Sequence, residues 1–78
     1  MPYARRMPDP VEIRGPMIRL GQLLKLAGLA ADGGEAKALL EAGHVHVNDA
    51  VEHRRGRQLH AGDVVRVGGE AVRVVTGA

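Results

Sequence analysis

Residues Glu52-His53-Arg54-Arg55-Gly56-Arg57 place three arginines within four positions, between turn signals at Asn48-Asp49 and Ala61-Gly62-Asp63. Guanidinium groups fork onto phosphate oxygens, and a glycine among them lets another backbone approach closely. The chemistry such a run suits is the grip of a phosphate chain. The bland alternative is a solvated loop whose arginines pair with Glu52 or Asp49. The chain has only two lysines, Lys25 and Lys37. No serine or cysteine is present, and Thr76 is the single threonine. No nucleophile–base pair is therefore evident, and the chain is expected not to be an enzyme.

Two further groups have side chains suited to chemistry. His44 and His46 lie two residues apart, but no third ligand at characteristic spacing accompanies them, so no metal or other cofactor is expected. Asn48 reads as a turn former before a reader of bases. Tyr3 is the only aromatic residue, which argues against a platform that stacks unpaired bases.

At 78 residues the chain is one small domain with a modest core. The net charge is only +2, so the basic excess is local, and a defined patch fits better than indiscriminate coating of nucleic acid. No apolar run approaches the roughly 18 residues of a membrane span. The first residues lack the apolar stretch of a secretory signal, and a cytoplasmic location is expected.

The elements that would position these groups follow from the periodicity. Residues 1–10, with three prolines and the pair Arg5-Arg6, read as a mobile lead-in to a domain spanning 11–76. Val11-Glu12-Ile13 alternates as a short strand would. Leu20, Leu23, Leu24 and Ala27 form one stripe of a helix stopped by Gly28, with Lys25 pointing away from the stripe. Asp32 and Glu35 make a capping-box variant for a second helix, with Ala36, Leu39 and Leu40 inward, Lys37 at the rim and Gly43 as its stop. The period then becomes two. Val45 and Val47 face inward, Asn48-Asp49 turns, and Val51-Glu52-His53 returns. Val64 to Val67, Gly68-Gly69 and Ala71 to Val75 form a last hairpin. The expected fold class is α+β: two short packed helices followed by a small, mostly antiparallel sheet of about four to five short strands.

Five stretches carry a resemblance: Leu23-Leu24-Lys25, Gly33-Gly34-Glu35-Ala36-Lys37, Val45-His46-Val47-Asn48-Asp49, Glu52 to Leu59 and Gly62-Asp63-Val64-Val65. In this order and spacing, from about Arg19 to Val74, they resemble the RNA-binding module of ribosomal protein S-four, the alpha-L motif, and its small stand-alone bacterial members. The sequence departs from that pattern at Asp49, where glycine is usual, and at Gln58, where lysine is common. The resemblance implies a non-enzymatic protein that docks on structured RNA, ribosomal RNA or tRNA, through both helices and the adjoining loop, and a monomer is expected. The residues expected to bind are Arg19, Lys25, Lys37, Asn48, Arg54, Arg55 and Arg57, with the ribosome as a candidate partner and no small-molecule substrate. A beta-grasp interaction domain is the first alternative, although the chain ends Thr-Gly-Ala without a terminal Gly-Gly. DNA binding through the second helix is the other, weakened by Glu35 and Glu41 on that helix.

Overall fold

The computed structural model describes residues 7–77, so Tyr3, Arg5 and Arg6 lie outside the described residues. The element order is β1 (Asp9–Ile13), β2 (Ile18–Arg19), α1 (Leu20–Leu26), α2 (Gly33–Glu41), β3 (Val45–Val47), β4 (Ala50–Val51), β5 (Gln58–Leu59), β6 (Val64–Val67) and β7 (Glu70–Thr76). The α+β class and the two short helices stand as expected. Strands β1, β7, β6, β3 and β4 lie side by side in that order. All neighbours in this sheet are antiparallel except β1 and β7, which are parallel. A separate two-stranded ribbon joins β2 to β5.

Strand β1 begins at Asp9, two residues before the domain start read from the sequence. It lies at the sheet edge, which is where a strand accommodates a residue such as Pro10 that donates no backbone hydrogen bond. The return strand β4 is shorter than Val51-Glu52-His53 suggested and stops at Val51. The next residue, Glu52, is only 7% exposed, and its N–H still donates to the Val45 carbonyl at 2.9 Å.

The helical stripes pack as their spacing requires. Leu20, Leu23 and Leu24 of α1 and Ala36 and Leu40 of α2 join Val45, Val47, Val65, Val72 and Val74 of the sheet in one buried cluster. At about 25 cal/mol for each Å² of apolar surface removed from water, each such leucine contributes roughly 1.5–3 kcal/mol. Asp32 caps α2 by accepting from the Glu35 N–H at 2.8 Å, while Glu35 accepts from the Ala31 N–H, one residue further back than in the standard box. Asn48 and Asp49 have φ of 51° and 70°, the left-handed pair that a two-residue hairpin turn demands. Asn48 also spans to the next hairpin: its amide nitrogen donates to Asp63 and its amide oxygen accepts from the Val64 N–H.

Candidate nucleic-acid interface

Helix α1 starts without a side-chain cap, because its N-cap residue is Arg19. The first N–H groups of a helix need acceptors from outside it. Here the arginine loop supplies them: the Leu20 N–H donates to the Arg57 carbonyl at 2.8 Å and the Gly21 N–H to the Arg55 carbonyl at 2.9 Å. The Arg19 guanidinium closes the same seam by donating to the Gly56 carbonyl at 2.9 Å. The β2–β5 ribbon, with Arg19 opposite Gln58, brings the loop to this place. The loop is thus docked backbone-first on the end of α1.

Glu52 organises the loop from beneath. Its carboxylate accepts from the backbone N–H groups of His53 and Arg54, from Nε and Nη2 of Arg54, and from Nη1 of Arg57. These donors, those of Arg54 foremost, hold its carboxyl well below the usual carboxylate range, against the opposing effect of burial. The Arg54 side chain stays 74% exposed while it makes this bidentate pair. A guanidinium has five N–H donors, so Arg54 keeps some for an outside partner. Asp63 is held below its ordinary value too: burial pushes it up, but the His60 N–H, the Asn48 amide and the charges of Arg57 and His60 outweigh that.

Arg55 stands apart from its neighbours. Among the described residues the ion pairs engage Arg54, Arg57 and Arg66, and none engages Arg55, Lys25 or Lys37. The Arg55 side chain instead lies along Gly21: a Cβ built on that glycine would fall 2.4 Å from Arg55 Cγ. Arg19, Lys25 and Arg55 together line an open groove of about 410 Å³ floored by Gly21, Gln22, Gly33, Ala36 and Gly56, with no carboxylate among the lining residues. On its other side Arg55 borders a smaller depression with Lys37, Leu40, Glu41 and His53. Arg54 and Arg57 flank a third hollow beside Gly56 and Gln58.

The fold therefore gathers six of the seven candidate residues around one loop. Asn48 is set apart, since its amide oxygen and nitrogen are both engaged in joining two hairpins. Sequence reading overlooked Gly21, whose missing side chain seats Arg55, and the inward turn of Glu52. It also overlooked His53, whose ring Nδ1 lies 2.9 Å from the Leu40 carbonyl. Gly21 and His53 have no local signal, because their partners Arg55 and Leu40 lie 13 or more residues away, whereas the partners of Glu52 are its near neighbours Arg54 and Arg57 and only its burial went unread. Among the described residues no group of three or more His, Cys, Asp or Glu side chains converges as a metal site.

Two helices packed with a small, mostly antiparallel sheet make this an alpha-L fold. The chain belongs to the S4 domain family, which matches residues 11–75. It is 49% identical over 63 residues to the Bacillus subtilis protein named "Probable ribosome maturation protein RlbA", covering 81% of this chain and 89% of that one. It is 40% identical over 60 residues to the Escherichia coli protein named "Putative RNA-binding protein YbcJ", covering 77% and 86%. The solution structure of E. coli YbcJ, described as revealing an alpha-L motif involved in RNA binding, superposes with a TM-score of 0.67 over 96% of each chain at 33% identity.

Proposed function

We propose that this protein is a non-catalytic, cytoplasmic RNA-binding protein that docks on structured RNA, ribosomal RNA before tRNA. The observation that carries the reading is the groove in which Arg19, Lys25 and Arg55 converge without a carboxylate. Three cations held this way meet consecutive phosphates of a folded backbone, and each adds an electrostatic contact that releases counterions. Arg54 and Arg57, steadied by Glu52, extend the cationic rim, and Lys37 extends it along α2. With no aromatic side chain beyond Tyr3, recognition rests on backbone and shape rather than on stacked bases. The E. coli relative is named for RNA binding and the B. subtilis relative for ribosome maturation, and taken together these names favour ribosomal RNA as the target class.

Gly56 adds weight to this reading. Its φ lies outside the left-handed region, and a Cβ there would meet only Arg19 Nη1 at an ordinary 3.8 Å. The fold itself does not require a glycine at this position. Close approach of an RNA backbone to the loop would favour one.

The test is the salt dependence of binding to ribosomal RNA. With about five phosphates engaged, log K is expected to fall with log salt at a slope near −3 to −4. Replacing Arg19, Lys25 and Arg55 together by glutamine should flatten the slope by about two. A parent protein that shows no salt-dependent binding, or a triple variant with the parental slope, refutes the assignment.

A further inference from the structure

The cations of this face share a limitation. Arginine and lysine only donate hydrogen bonds, so they grip the phosphates of RNA and DNA alike. The group that tells the two apart is the ribose 2′-hydroxyl, whose O–H proton needs an acceptor. One residue in the smaller depression has the right chemistry. His53 is anchored by its Nδ1, 2.9 Å from the Leu40 carbonyl oxygen. A carbonyl oxygen can only accept, so Nδ1 carries a proton, and the Nδ1–H tautomer presents its lone pair at Nε2. His53 is an exposed residue and borders a depression of about 220 Å³ shared with Lys37, Glu41 and Arg55. Two cations there suit phosphates, and an acceptor in the same depression suits the sugar hydroxyl that alternates with phosphates along the strand.

Resting on the RNA-binding reading above, we infer that His53 is a specificity-determining residue that accepts a hydrogen bond from a ribose 2′-hydroxyl and so biases this face toward RNA. The fixed end of the ring matters. Leu40 lies near the C-terminal end of α2, so the acceptor is held against a packed helix rather than carried on a free side chain. Glu41 is the competing acceptor in the depression, but its negative charge repels the phosphate that must lie beside the hydroxyl.

The test compares one ribosomal RNA stem-loop with its 2′-fluoro counterpart, which keeps A-form geometry and lacks the O–H donor. The parent protein should bind the RNA form about threefold to tenfold more tightly, the range of one net hydrogen bond. In His53→Phe the ratio should fall to about one while affinity for the 2′-fluoro form is kept. Glu41→Gln should leave the ratio as in the parent. Equal binding of the two forms by the parent overturns this inference alone, and that comparison needs no variant to fold. A ratio that survives in His53→Phe, or one that is lost only in Glu41→Gln, also overturns it. Absence of binding to both forms removes the RNA-binding reading, and this inference with it.

Discussion

Gly21→Ala puts the docking of the arginine loop on α1 to a quantitative test. Gly21 lies inside α1, where alanine is ordinarily better than glycine by about 0.5–1 kcal/mol. Here the added Cβ would fall 2.4 Å from Arg55 Cγ and 3.1 Å from Cδ. Carbon atoms in contact sit about 3.5–4.0 Å apart, so Arg55 must move by about 1 Å or change rotamer. Overpacking of this kind costs typically about 1–3 kcal/mol. Set against the helix gain, the net is a loss of about 1 kcal/mol, or roughly 4–8 °C in Tm for a domain of this size. The Arg55 carbonyl, 3.5 Å from the new carbon, stays in ordinary contact, so the backbone cap of α1 is expected to survive and the damage to fall on the side chain. Removing that side chain should reverse the sign: in an Arg55→Ala background Gly21→Ala should stabilise by about 0.5–1 kcal/mol. RNA affinity should follow the same cycle, falling in each single variant and no further in the double. Thermal unfolding of the four proteins, read with RNA binding, gives both cycles. Destabilisation by Gly21→Ala of equal size in both backgrounds would refute the proposed seating of Arg55.

Two more perturbations separate structure from recognition. Gly56→Ala meets no close neighbour and should leave stability equal or raised by about 0.4–1 kcal/mol, yet weaken binding to ribosomal RNA; chemical denaturation beside a filter-binding curve checks both halves. Glu52 and Asp63 are both held below their ordinary values. Groups shifted this way contribute stability that is fully present above the unfolded carboxylate pKa, about 4, and that is lost as pH falls below it. Urea unfolding at pH 7 and at successively lower pH should therefore show a loss that Glu52→Gln diminishes, with that variant weaker at pH 7 by about 2 kcal/mol because its amide cannot accept from all the donors around it.

Much of the helical half was legible in the sequence because its signals are local. The apolar stripes of α1 and α2, the Asp32 cap and the left-handed Asn48-Asp49 turn each follow from residues a few positions apart. Pairings across the chain were not legible. Strand β1 pairs with β7 from Asp9 opposite Val72 to Ile13 opposite Thr76, and nothing in Val11-Glu12-Ile13 specifies a parallel partner so distant. The Gln58-Leu59 segment is too short for periodicity to declare it a strand, and its role appears only when Ile18-Arg19 lies beside it. The arginine run was the clearest feature of the sequence, yet its members divide their labour in a way composition cannot show. Arg54 and Arg57 pair with a buried Glu52, whereas Arg55 lies along a glycine in α1. A sequence gives the charges and their spacing. Which of them face a buried carboxylate is settled by the path of the loop.

The most direct test of the RNA-binding face is the footprint of a ribosomal RNA stem-loop on the protein. Backbone and side-chain NMR shifts of isotope-labelled protein, titrated with that RNA, should change most at Arg19, Lys25, Lys37, His53 and Arg55, the groups lining the two adjoining hollows. Arg66 and Arg73, on β6 and β7, should change least. A footprint centred on those sheet arginines, with the α1–α2 groove unmoved, would contradict the account.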